Sequence, residues 1–97
     1  LEGLMMGTRS GDIDPAIIPY LESTEAMSTD QIDTLLNKES GFKGICGTND
    51  MREVLQQTLE NKGKGKLALE MYVYRIQKYI GAYTVALGHV DAIVFAG

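Results

Sequence analysis

A single long stretch, residues 66–87, limits the possible folds more than any other part of this chain. Its apolar residues recur in alternating steps of four and three, at Leu69, Val73, Ile76, Ile80, Tyr83 and Leu87. That spacing places them on one face of an α-helix. Further apolar residues beside this face widen it. We therefore predict a helix from Lys66 to Leu87 that is largely buried.

Start signals predict three shorter helices. Asp14-Pro15 is a helix start, and Pro19 then predicts either a kinked helix over 15–23 or a restart at Pro19. Ser28 to Gln31 form a capping box, with a helix expected to follow as far as Gly41. The glycine-rich residues 40–49 are expected to form a loop. Asp50 or Asn49 caps the next helix, which has Glu53 in position for a second capping box.

Two short apolar runs predict strands. They are 4–8, which leads into a loop, and 92–96, which follows the long helix. A lone strand cannot satisfy its backbone groups, and a two-stranded sheet is marginal. The fold class is therefore α/β, mostly helical with short strands whose sheet partners we expect outside this chain.

Composition excludes several classes of protein. The 97 residues carry nine Lys and Arg against 13 Asp and Glu, for a formal net charge of -4, so we expect no nucleic-acid partner. The apolar runs are too short for a membrane span, and no signal peptide is evident. The single cysteine, Cys46, forms no internal pair and no metal cluster, which fits a cytoplasmic protein.

The first candidate site is the run Gly7-Thr8-Arg9-Ser10-Gly11-Asp12-Ile13-Asp14-Pro15. Glycines allow its backbone to approach a bound anion closely. A planar guanidinium such as that of Arg9 suits an anion such as phosphate. The alternative is a loop arginine that pairs with Asp12 or Asp14.

The second candidate site is Asp50-Met51-Arg52, at a predicted helix N-terminus, where free N–H groups favour anions. The alternative is a capping aspartate beside an ordinary exposed arginine.

A third run, residues 91–97, closes the chain. His89 follows Gly88, so we expect exposure or a helix C-terminal role rather than catalysis.

In their order and approximate spacing, these three runs resemble the acetate kinase family, including propionate kinase. The resemblance covers the whole chain and implies the two-domain, actin-like sugar-kinase fold. Family enzymes are several times longer, the first residue is Leu1, and the last residues are apolar. We therefore expect residues 1–97 to be a single partial domain, an internal segment of the nucleotide-cleft domain.

The resemblance also implies chemistry. It implies that Arg9 contacts the phosphoryl group during its transfer. It also implies nucleotide binding by Asp50, Met51, Arg52 and Gly97. The cofactors would be ATP or ADP and Mg²⁺, with the metal-contacting residues outside this chain, so we expect no metal ligand here. The partners would be acetate or propionate, with a homodimer or self-association. The isolated chain should be inactive. The alternatives are a propionate kinase fragment and a non-catalytic helical interaction module built on residues 66–87.

Overall fold

The computed structural model describes residues 2–96, which contain five α-helices joined by turns and loops. In chain order these are α1 (Ile17–Thr24), α2 (Thr29–Lys38), α3 (Gly41–Cys46), α4 (Met51–Leu59) and α5 (Gly65–Leu87). Helices α3 and α4 both pack on α5, while α1 lies against α2. The mostly helical content expected from the sequence is therefore confirmed.

The core lies where α3 and α4 meet the first half of α5. Phe42, Val54 and Ala68 are buried together there, one from each helix. The ring of Phe42 packs on that of Tyr72, with centroids 5.2 Å apart. Because these contacts involve only the start of α5, the helix is held firmly at one end.

The two capped helix starts, α2 and α4, agree with their sequence signals. Ser28 accepts from the backbone N–H of Gln31 (3.3 Å), and the Gln31 side chain accepts from the N–H of Ser28 (2.7 Å). Asp50 caps α4 by accepting from the N–H of Arg52, although Glu53 completes no capping box there. Helix α1 begins at Ile17 and includes Pro19. Its first turn tolerates proline because the N–H groups of a first turn have no partner within the helix.

Helix α3 occupies residues that were expected to form a loop. Its start is not capped by a side chain. Instead, the N–H groups of Phe42 and Lys43 donate to the carbonyls of Met6 (3.0 Å) and Gly7 (2.9 Å). Because these acceptors lie far away in the sequence, local pattern could not reveal the helix.

The predicted short strands are wrong for the described residues, since neither 4–8 nor 92–96 forms a strand. A strand needs a neighbour with which to share its ladder of hydrogen bonds. The carbonyl of Met6 bonds instead to the start of α3. No backbone hydrogen bond ties residues 92–96 to the rest of 2–96.

Helix α5 has the predicted extent to within one residue, but the expectation of burial is wrong for its second half. Tyr83, Val85 and Leu87 are well exposed, as are Val94 and Phe95 after it. Leu4, Val90 and Ile93 line a groove beside this end of the helix but leave these side chains exposed. None of the helices found between residues 2 and 96 is long and apolar enough to cross a membrane.

Candidate active site: the arginine loop and the start of α4

Residues 3–12 form a closed loop, called here the arginine loop because it carries Arg9. Its ends are joined by two bonds: the N–H of Asp12 donates to the carbonyl of Gly3 (2.9 Å), and the N–H of Gly3 donates to Asp12 Oδ1 (2.7 Å). Within the loop, the N–H of Met6 donates to the carbonyl of Arg9 (3.1 Å), which closes a turn. The backbone on both sides of Arg9 is therefore fixed.

The tip of the loop fills the junction between α2 and α3. The N–H of Ser10 donates to the carbonyl of Leu36 (2.9 Å), and the Thr8 hydroxyl donates to that of Asn37 (3.1 Å). The N–H of Ser40 donates to the carbonyl of Thr8 (2.9 Å). The first two bonds satisfy carbonyls that the end of α2 leaves without partners, and the third satisfies the N–H of the residue before α3. One loop thus completes the end of α2 and the start of α3.

Gly41 lets this packing occur. Its φ of +62° disfavours any side chain, and a Cβ built there would lie 2.0 Å from the carbonyl oxygen of Met6. That Cβ would also lie 2.9 Å from the carbonyl oxygen of Arg9. The arginine loop therefore passes directly over a bare backbone.

The side chain of Arg9 is exposed and borders a groove of about 540 Å³. Within residues 2–96, its guanidinium makes no ion pair and donates no hydrogen bond. The two aspartates that could have paired with it are occupied elsewhere. Asp14 accepts from the N–H of Ala16 (2.9 Å), and Asp12 is bound at the loop base. The five donors of the exposed Arg9 guanidinium therefore have no partner within residues 2–96.

Asp12 also joins the loop to α5. The Tyr79 hydroxyl donates to Asp12 Oδ2, and Arg75 Nη1 approaches the Asp12 carbonyl at 3.4 Å. The Tyr79 and Gly3 hydrogen bonds hold the pKa of Asp12 below its ordinary value, whereas the bond to Asp12 raises the pKa of Tyr79 to about 12. Sequence reasoning missed this link, because the two residues are 67 positions apart and nothing local marks the tyrosine.

At the start of α4, Asp50 and Arg52 are bound to each other. Arg52 Nε donates to Asp50 Oδ1 (3.0 Å) and Nη2 donates to Oδ2 (2.5 Å), while Oδ1 also accepts from the Arg52 N–H (2.9 Å). These hydrogen bonds from Arg52, side chain first, lower the pKa of Asp50 to about 2. The pairing leaves Nη1 of Arg52 unbound, and that side chain is 90% exposed.

The two candidate segments adjoin at one contact. A Cβ built on Gly7 would lie 3.1 Å from the Cβ of Asn49, the residue before Asp50. Both residues border a groove of about 390 Å³, together with Met51. The arginine loop and the start of α4 are therefore neighbours. Gly97, the remaining predicted site residue, lies outside the described residues.

The other residues with reactive side chains lie apart from these segments. His89 Nε2 is 2.9 Å from Asp91 Oδ1, and both side chains are exposed. The thiol of Cys46 is half-buried and donates to the carbonyl of Phe42 (3.1 Å). Across residues 2–96, no three His, Cys, Asp or Glu side chains are grouped closely enough to hold a metal ion.

Curated relatives that are similar to this chain in sequence include acetate kinases. An acetate kinase from Sulfurovum sp. (strain NBC37-1) is 67% identical over all 97 residues, and one from Oleidesulfovibrio alaskensis is 60% identical over 95. The chain spans 24% of the length of each of these relatives.

Two solved structures superpose closely on this chain. The acetate kinase of Porphyromonas gingivalis has a TM-score of 0.93 at 46% identity, covering 99% of this chain and 24% of that one. A propionate kinase from Francisella tularensis has a TM-score of 0.94 at 45% identity, covering 99% and 25%. The sequence model of the Acetokinase family matches residues 1–97. This protein therefore belongs to the Acetokinase family.

Proposed function

We propose that this chain is part of an acetate kinase, which reversibly transfers the terminal phosphoryl group of ATP to acetate and gives acetyl phosphate and ADP. Family membership over residues 1–97 supports this, as do the acetate kinases among its relatives. The same match argues against a non-catalytic interaction module. Residues 1–97 would be a partial domain within the nucleotide-cleft domain of a two-domain, actin-like enzyme, inactive by themselves.

The observation that carries the proposal is the contrast within the arginine loop between fixed backbone and free side chain. The backbone around Arg9 is bonded to α2 and α3, while its guanidinium has no partner in residues 2–96. Phosphoryl transfer spreads charge over equatorial oxygens, and catalysis depends on donors fixed in advance at that position. We assign Arg9 to this role.

The start of α4 would contact the nucleotide. Asp50 orients Arg52 through two side-chain bonds, and the remaining Nη1 hydrogens of Arg52 can donate to a ligand. We assign Asp50, Met51 and Arg52 to nucleotide binding, with Gly97 as a further candidate.

We expect Mg²⁺ to bind with the nucleotide in the parent enzyme, through residues outside this chain. No acidic or histidine cluster in 2–96 could hold it. We therefore assign no metal ligand and no metal-dependent step to this chain.

Propionate is the second candidate acceptor, since a propionate kinase superposes on the chain as well as an acetate kinase does. One extra methylene changes the ratio of kcat/KM values only modestly, so one enzyme can accept both acids. We place the enzyme in the cytoplasm, in keeping with a single unpaired cysteine.

A chimera tests the proposal. In the Sulfurovum acetate kinase, the aligned segment is replaced by residues 1–97 of this chain, and acetyl phosphate formation is measured with ATP and acetate. We expect turnover close to that of the host enzyme, and a kcat/KM ratio for acetate over propionate set mainly by the host. A folded chimera, with the thermal midpoint of the host but no turnover, would contradict the proposal.

A further inference from the structure

Asp12 joins the base of the arginine loop to α5. Its Oδ1 accepts from the N–H of Gly3, its Oδ2 accepts from the Tyr79 hydroxyl, and its carbonyl faces Arg75. Both α5 residues are half-buried in the middle of that helix. The base of the loop is therefore tied to the longest rigid element of the chain.

The Asp12–Tyr79 hydrogen bond restrains the base of the loop, which the bonds at the tip do not reach. The tip is held through the backbone of Thr8, Ser10 and Met6, on the side of α2 and α3. At the base, the chain is crowded: a Cβ on Gly11 would lie 2.6 Å from the Gly3 carbonyl oxygen. Asp12 is three residues from Arg9, so a shift of the base would tilt the backbone that carries the guanidinium.

We propose that Tyr79 is a positioning residue for Arg9, acting through Asp12. This inference rests on the proposed function, because it assigns the tyrosine a part in placing the phosphoryl-binding arginine. The hydroxyl fixes the Asp12 carboxylate, the carboxylate closes the loop base, and the closed loop sets the direction of Arg9. Tyr79 itself touches no reacting atom in this scheme.

The test uses the chimera with Tyr79→Phe, which keeps the ring and removes only the hydroxyl. Tyr83→Phe is the matched control, since its ring packs on that of Tyr79 with centroids 6.0 Å apart and its hydroxyl makes no hydrogen bond in residues 2–96. We expect Tyr79→Phe to lower kcat roughly tenfold with an unchanged KM for ATP, because misplaced catalytic groups slow the reaction steeply. Tyr83→Phe should leave kcat unchanged. Equal kcat values in the two variants would overturn the proposal.

A double-mutant cycle with Arg9→Ala separates positioning from general support of the fold. If Tyr79 acts through Arg9, adding Tyr79→Phe to Arg9→Ala should cause no further loss of kcat. Losses that multiply would overturn the positioning role. The failure of the proposed function looks different: Arg9→Ala alone would then have no effect.

Asp12→Asn supplies a second cycle, with Tyr79→Phe. If Asp12 and Tyr79 act as one unit, the double variant should have the kcat of the slower single variant. Fully multiplicative losses would mean that the hydroxyl acts by another route, and would overturn the assigned path.

Discussion

Arg9 and Arg52 are both exposed, but their guanidinium groups are held differently. Arg52 is bound twice by a carboxylate two residues away, whereas Arg9 has no partner in residues 2–96 and depends on its backbone for direction. A side chain already paired can bind with the donors that remain, while an unpaired one can give all of them to a ligand. This difference agrees with the roles proposed above, which are nucleotide binding for Arg52 and charge stabilisation for Arg9.

The Asp50 carboxylate is expected to titrate at about 2, below its ordinary 3.8, chiefly because of the Arg52 side-chain bonds. Its stabilising contribution should be complete above 3.8 and be lost as pH falls through about 2. Carboxyl-carbon NMR of the chimera across this range measures the pKa. Arg52→Gln should move it upward. A wild-type pKa at the ordinary value would show that the pair is absent in solution.

Gly41→Ala should disturb the arginine loop, because the new Cβ would lie 2.0 Å from the Met6 carbonyl oxygen. Gly47→Ala is the matched control: its φ is also positive, at +84°, but a Cβ there meets nothing within 4 Å. In both variants the free energy of unfolding should fall by about 1–2 kcal/mol, because a residue with a Cβ disfavours the left-handed backbone conformation. Only Gly41→Ala should also lower kcat in the chimera. Equal kcat values would mean that the loop does not depend on this contact.

At the scale of helices, the sequence predicted the helix starts and the helix extent that local signals determine. Asp50 caps α4, Ser28 and Gln31 form a capping box, and residues 66–87 follow a helical period. It failed where the partner is distant. Helix α3 starts on carbonyls of the arginine loop, and the expected strands would need neighbours that residues 2–96 do not provide. For the same reason, the motif could make Arg9 a candidate, whereas no local signal pointed to Tyr79.

The packing of α4 on α5 should depend on Val54, which has no exposed surface. Val54→Ala in the chimera is expected to lower the free energy of unfolding by about 2 kcal/mol, since it leaves a cavity. Leu59→Ala, on the same helix but 87% exposed, is the control and should have little effect. Urea denaturation measures both. Similar losses in the two variants would contradict the packing described.

Over the whole molecule, the small core contrasts with the broad apolar surface. The core cluster lies beside the first half of α5, while the second half and residues 90–96 leave large apolar side chains exposed. Such contiguous surface usually marks a contact with other protein.

We therefore expect the isolated 97-residue chain to self-associate. Sedimentation velocity over a range of concentrations should show dimers or larger species, and Tyr83→Lys should reduce them, since this exposed residue borders the apolar groove on α5. The exposed Lys64→Ala serves as the control outside that groove. A compact monomer at high concentration would contradict this expectation.

The central claim, that Arg9 stabilises the phosphoryl group in transfer, is tested most directly by kcat in the chimera. Arg9→Ala should lower kcat roughly a hundredfold or more, as expected when a fixed donor to developing charge is removed. Arg9→Lys should also be slow, because it keeps the charge but loses the planar donor geometry. Lys64→Ala, which removes an exposed cation elsewhere, should leave kcat unchanged. Wild-type turnover in Arg9→Ala would contradict the claim.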